Sequence, residues 1–243
     1  MNIFAKTDKG LVRETNQDIV VFDKLSDNFS WILVCDGMGG QNSGDIASKM
    51  AADIVKKLIN ENVECILEEN FNIKDFMNEC LEVANKEIFE KSLEDEKYRG
   101  MGTTAVLMFI IKDNIYISYV GDSRAYIISD KKLEQITTDH SIVQEMVNNG
   151  EITEEEARKH PRKNIITKAI GVMKDIEIDN LKRNLLKDES VLLCTDGFSN
   201  FIDKETILDY FSQFKGETLV NKLITHVNEV GGNDNITVAV VTS

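Results

Sequence analysis

Three times in this chain an apolar run ends on an aspartate beside a glycine. Trp31-Ile-Leu-Val-Cys35 runs into Asp36-Gly37, Val191-Leu-Leu-Cys194-Thr195 into Asp196-Gly197, and Ile115 to Val120 into Gly121-Asp122. A fourth case is inverted: Gly232-Asn-Asp234-Asn235 leads into Ile236 to Val240. Each places a carboxylate at the end of a buried strand. Two unit charges about 4 Å apart repel by about 4 kcal/mol at an effective dielectric of about 20. Either these carboxylates do not converge, or cations hold them. A single Asp-Gly pair is more often a plain turn, but the repetition at strand ends favours convergence. Oxygen donors with no histidine or cysteine ligand set suit hard cations such as Mg²⁺ or Mn²⁺. The adjoining glycines let backbone carbonyls approach an ion closely.

No linker, low-complexity tract or tandem repeat divides the chain, so residues 1–243 read as a single domain. Ile19 to Phe22 and Ser30 to Cys35 are expected strands around a polar turn at Asp23 to Asn28. Ile46, Ala47, Met50, Ala51, Ile54, Val55 and Leu58 recur at helical spacing, and a second helix is expected from Ile73 to Leu93 with Asn72 as its cap. Thr103 to Ile111, Ile115 to Val120 and Ala125 to Ile128 are short β-branched and aromatic runs, with Asp113-Asn114 and Asp130-Lys131 as turns. His140 to Arg162 is polar and helical in pattern, with Thr153 and Glu156 spaced as a capping box. A strand at Val191 to Cys194, helices at Lys204 to Phe214 and Glu217 to Val230, and a strand at Ile236 to Val241 complete the chain. This order lacks regular βαβ alternation. It predicts an α+β fold: a central antiparallel β-sandwich flanked by helix pairs.

Lys plus Arg number 28 against 42 Asp plus Glu, a net charge of −14, which disfavours nucleic acid and anionic membranes as partners. Cys35, Cys65, Cys80 and Cys194 form no C-x-x-C pair, and each lies in an apolar stretch, so all four are expected as core thiols in a reducing cytoplasm. No apolar run approaches the roughly 20 residues of a membrane span.

Arg13-Glu-Thr-Asn-Gln-Asp18, Asp36-Gly-Met-Gly-Gly40, Gly121-Asp-Ser-Arg124, Thr138-Asp-His-Ser141, Asn164-Ile-Ile-Thr-Lys-Ala-Ile-Gly171, Thr195-Asp-Gly197 and Gly232-Asn-Asp-Asn-Ile-Thr237 follow one another along the chain. Together they resemble the metal-dependent PP2C (PPM) family of serine/threonine protein phosphatases, in its compact bacterial form. The resemblance spans essentially the whole chain. It implies a four-layer αββα sandwich, with residues 141–169 as a small helical flap beside the active site.

The resemblance also implies roles. Asp36 would bridge two Mn²⁺ or Mg²⁺ ions, and the Gly37 carbonyl would complete the first site. Asp196 and Asp234 would hold the second ion. Asp18 would act through a metal-bound water. Asp122, with Asp196, matches a third site. Arg13 would clamp the substrate phosphate, for which a planar guanidinium is well shaped. A metal-bridging hydroxide would attack phosphorus in line, between ions about 3.5–4 Å apart. Animal relatives carry a histidine directly after the Asp-Gly pair, proposed as a general acid; here that position is Met38. The leaving group's proton must come from elsewhere, with metal-bound water as the expected source; His140 is a second candidate, though a hydrogen-bonding support is the commoner role for such a residue. The implied partners are phosphorylated proteins, including a serine/threonine kinase that the enzyme would oppose, and the expected state is a monomer. Two other readings are a same-fold phosphatase dedicated to one regulatory protein and a non-catalytic binding module. Retention of Asp36, Asp196 and Asp234 speaks against the module.

Overall fold

The computed structural model describes residues 1–39, 43–130 and 132–242. Gly40 of the Asp36-to-Gly40 motif and Lys131 of the expected turn lie outside the described residues. Two antiparallel sheets stack face to face. One has the order β1-β11-β10-β7-β8, built from β1 (Asn2–Asp8), β11 (Ile236–Thr242), β10 (Glu189–Cys194), β7 (Arg124–Ser129) and β8 (Lys132–Gln135). The other has the order β2-β3-β5-β6-β9, built from β2 (Asp18–Ser26), β3 (Phe29–Met38), β5 (Ala105–Ile111), β6 (Asn114–Val120) and β9 (Asp179–Asn184). A two-residue strand, β4 (Gly102–Thr103), pairs with the end of β3. Helices α1 (Gly44–Glu61), α2 (Val63–Ile66) and α3 (Ile73–Ser92) follow β3. The pair α4 (Ile142–Asn148) and α5 (Glu154–Lys159) follows β8, and α6 (Asp196–Ser199), α7 (Lys204–Gln213) and α8 (Gly216–Glu229) follow β10.

Three apolar layers separate the four structural ones. Phe29, Trp31, Leu33 and Cys35 of β3 pack against α1 and α3. Their alternates, Ile32 and Val34, face Val191 and Leu193 of β10 and Ala239 and Val241 of β11 between the sheets. Leu192 and Cys194, with Val238 and Val240, turn outward onto α7 and α8. Each central strand is therefore apolar on both faces, which explains the unbroken apolar runs in the sequence. Asn72 caps α3 by accepting from the Asp75 amide, and Thr153 and Glu156 form the capping box of α5.

Several elements depart from expectation. The turn between β2 and β3 shrinks to residues 27 and 28, because polar Asp23 and Lys24 continue the ladder opposite Trp31 and Ser30. β1, β8 and β9 had no clear sequence signal. β8 and β9 (Lys132–Gln135 and Asp179–Asn184) are polar edge strands that owe their form to a neighbour's ladder, and β1 is an edge without a turn signal before it. The run from His140 to Arg162 is helical as expected, in two short helices, α4 and α5, with the Thr153–Glu156 capping box opening the second. Cys65 is exposed, unlike the three other cysteines, because α2 buries only Ile66. Among the described residues no helix is long and apolar enough to cross a membrane.

Candidate active site

The pleat of the strands decides which polar side chains meet. Successive side chains point to opposite faces, so every second residue shares a face. Ile32 and Val34 line the inter-sheet core, and Asp36 continues their face two residues on. By the same count Val20 places Asp18 there, Leu193 places Thr195, Ala239 places Thr237, and Ala5 places Thr7. The apolar layer between the sheets thus ends in a polar cluster.

Asp18 is buried and stands directly opposite Asp36 across the β2–β3 ladder, an arrangement of like charges that costs stability. Its Oδ2 accepts hydrogen bonds from Thr195 Oγ1 at 2.8 Å and Thr237 Oγ1 at 2.7 Å, both from the opposing sheet. Its Oδ1 is buried with no hydrogen-bond partner among the described residues. Burial pushes the Asp18 carboxyl up to about 7; the two hydroxyls oppose the rise, and Asp196 and Asp234 add to it.

Asp36 lies within β3 rather than beyond it. Its amide donates to Thr104 Oγ1 at 3.0 Å, and its carbonyl accepts from the Thr104 amide and Thr103 Oγ1, each at 2.9 Å. Desolvation, then the charges of Asp18, Asp196 and Asp122, raise its carboxyl well above the ordinary carboxylate range. Gly37 is buried, and a β-carbon there would collide with the Gly44 carbonyl at the start of α1.

Asp196 does not end a strand: β10 stops at Cys194, and Asp196 is the first residue of α6. Its carboxyl is raised by desolvation first and then by Asp234, while neighbouring Asp36 and the Arg124 guanidinium oppose the rise. Asp36 and Asp196 both keep some solvent contact, which moderates their repulsion. Asp122, just past β6, is buried and pushed up to about 8, by desolvation first and then by Asp196 and Asp139. Asp234 precedes β11; its Oδ2 accepts from Arg13 Nη2 at 2.8 Å and its Oδ1 from the Asn235 amide at 2.8 Å. The Arg13 side chain is about half exposed, at 48%.

The structure therefore brings Asp18, Asp36, Asp122, Asp196 and Asp234 to one end of the sandwich, with Arg13 at the rim. Among the described residues no three of these side chains close on a single point as a ready-made cage. The donor chemistry nonetheless suits divalent cations. All donors are oxygens, burial and then neighbouring carboxylates raise several of them above the ordinary carboxylate range, and one buried oxygen of Asp18 lacks a partner among the described residues.

His140 is placed as a support. Its Nδ1 accepts from the Gly121 amide at 3.1 Å, and its Nε2 lies 3.4 Å from Asp179 Oδ2. The ring stacks on Tyr119, with centroids 5.4 Å apart. Desolvation lowers its pKa, so it stays neutral. Its carbonyl accepts from the Thr167 amide at 2.8 Å, and Ile170 pairs with Thr103, so both ends of the 141–169 segment are tied beside the aspartates.

The protein phosphatase 2C pattern matches residues 12–226. The chain belongs to the protein phosphatase 2C family. The serine/threonine phosphatase stp of Listeria monocytogenes serotype 4b (strain F2365) is 37% identical over 244 residues, covering 99% of this chain and 95% of its own. The serine/threonine phosphatase of S. agalactiae superposes with a TM-score of 0.91 at 37% identity, covering 100% of this chain and 99% of that one. The catalytic domain of the phosphatase PstP, solved with two manganese ions, superposes at 0.84 with 29% identity, covering 98% and 96%. The α+β sandwich of this chain is the fold of these family members.

The residues that sequence reasoning left without a role are Thr103, Thr104, Thr195, Thr237 and Asn235. Thr195 and Thr237 carry a signal in hindsight: each is a lone hydroxyl in step with the inward apolar positions of its strand.

Proposed function

We propose that this chain is a divalent-metal-dependent phosphoprotein phosphatase that hydrolyses phosphoserine and phosphothreonine. One observation supports the reading most. Carboxylates from separate chain segments crowd one end of the sandwich, where burial first and then one another's charge raise them above their ordinary pKa. That crowding is unfavourable unless multivalent cations relieve it.

Asp36, Asp196 and Asp234, with the Gly37 carbonyl, are the residues that would hold two Mn²⁺ or Mg²⁺ ions. Asp122 with Asp196 would take a third, and Asp18 would contribute through a water. Bound there, the cations supply Lewis-acid activation of water near neutral pH and positive charge for the phosphoryl oxygens. The chain's own groups do the rest. Thr195 and Thr237 fix one Asp18 oxygen and leave the other without a partner among the described residues, able to accept a hydrogen bond from water. Arg13 stands at the rim, and its contact with Asp234 uses one of five guanidinium donors, leaving the fork for phosphate oxygens. Met38 cannot donate a proton, and both His140 ring nitrogens face Gly121 and Asp179, so water protonates the leaving group. The flap at 141–169 borders the site and shapes access for a phosphorylated segment. Residues 1–243 act as one phosphatase domain, a monomer in the cytoplasm that opposes a serine/threonine kinase.

Phosphothreonine, phosphoserine and phosphotyrosine peptides, each with and without added manganese, test this. Manganese-dependent release of phosphate from the first two is expected. Equal turnover in chelator, or preference for phosphotyrosine, would contradict it.

A further inference from the structure

Arg13 sits on a loop, residues 9–17, that has little apolar anchorage: Leu11 and Val12 are 69% and 63% exposed. One buried side chain spans it. Asn235 is 5% exposed, and its Nδ2 donates to the Lys9 carbonyl and to the Thr15 carbonyl, each at 2.9 Å. Its Oδ1 accepts from the Gln17 amide at 2.8 Å. Both amide protons and the amide oxygen are thus used on one loop, at points before and after Arg13. An apolar side chain could make none of these bonds, and a carboxylate could not donate to the two carbonyls. The preceding residue, Asp234, accepts from the Arg13 guanidinium itself. The Leu11 amide adds a bond to the Gly232 carbonyl at 2.8 Å. Asn235 is fixed in turn, because Gly197 packs against its carbonyl so closely that a β-carbon would collide with it.

We infer that Asn235 is the positioning residue for Arg13: it ties the loop at three points so that the guanidinium is presented to the substrate phosphate in one orientation. This rests on the reading of Arg13 as the phosphate clamp. Asn235 touches neither substrate nor reacting atoms; it acts through the loop backbone. Immobilising the loop before substrate arrives removes an ordering cost that would otherwise appear in substrate affinity.

The test is a double-mutant cycle on the full chain with saturating manganese, using Asn235→Ala, Asn235→Ser, Arg13→Ala and the Arg13→Ala/Asn235→Ala pair. The readouts are KM and kcat for an aryl phosphate, inhibition by inorganic phosphate, manganese affinity by calorimetry and the melting transition. Asn235→Ala is expected to raise KM and the phosphate inhibition constant about tenfold, while kcat changes less than about threefold. Asn235→Ser should follow in the same direction, and manganese affinity should hold. In the Arg13→Ala background, Asn235→Ala should add less than about twofold, because its effect runs through Arg13. An undiminished effect in that background overturns the proposal. So does wild-type phosphate inhibition in a folded Asn235→Ala protein, a parallel fall in manganese affinity, or loss of the melting transition in both Asn235 variants. Arg13→Ala with unchanged phosphate inhibition sinks the clamp reading itself, and this proposal with it. Weakening by Arg13→Ala but not by Asn235→Ala sinks the proposal alone.

Discussion

The aspartate-lined end of the sandwich and the flap at 141–169 lie side by side and are built on opposite principles. At the sandwich end almost every polar group is fastened. Asp36 is pinned through its backbone by Thr103 and Thr104, and Asp18 by hydroxyls from the opposing sheet. The flap has almost no core: α4 buries Val143 alone, and α5 buries nothing. It is held by its ends, through the His140–Gly121 and Ile170–Thr103 contacts. The first region spends stability on crowding charge. The second has little stability to spend. Groups that must keep fixed positions against their own repulsion need a rigid frame, whereas a segment with the access role proposed for the flap needs only anchored ends.

Substitution at the sandwich end should therefore cost activity or global stability heavily. Asp36→Ala should lower aryl-phosphate turnover by more than about a thousandfold, beyond the loss of a single oxyanion donor. The variant should melt as a folded protein, since it removes a like charge opposite Asp18. Retained turnover would erase the proposed contrast between the two regions.

Gly197→Ala should destabilise by at least about 1–3 kcal/mol, the usual cost of overpacking. Its new methyl meets the Asn235 carbonyl, which the sheet and the loop hold in place. Denaturant titration measures this, and a neutral result would mean that the site end yields more readily than its hydrogen bonds suggest.

In chelator, stability should fall as pH rises. The Asp18 and Asp122 carboxyls titrate near 7 and 8 in the fold against 3.8 when unperturbed. Folding is thus favoured by their bound protons below about pH 4, and that advantage is lost as pH climbs through about 7–8. Millimolar manganese should reverse the loss, with a larger rise in Tm at pH 8 than at pH 5. A metal effect independent of pH would mean that the carboxylates and the ions do not compete with protons.

The smallest effect belongs to the flap. Thr153→Ala removes the capping box of α5, a change of about 1 kcal/mol confined to that helix. Hydrogen exchange at Glu154–Lys159 should quicken while the global Tm stays put. A global loss would show that the flap shares the sandwich's cooperative unit.

The sequence determined much of this protein by itself. The central strands announce themselves because both faces are buried, and α1, α3, α7 and α8 show clean apolar stripes because each packs one face on a sheet. Asp36, Asp122, Asp196 and Asp234 stood out because a carboxylate at the end of an apolar run is costly and therefore conspicuous. Tertiary structure decided the rest. β8 and β9 are strands only because a neighbour supplies their ladder, Cys65 is outside because α2 turns it there, and Asp196 opens a helix instead of closing a strand. Repetition at strand ends pointed to convergence, but the partners each carboxylate meets were beyond the reach of local pattern. That Asp18 faces Asp36, that Thr195 and Thr237 cross from the other sheet to hold it, and that Asn235 reaches back over some 220 positions to tie Lys9 and Thr15 are facts of strand register. Periodicity says which face a side chain takes; only the pairing of distant strands says what it meets there.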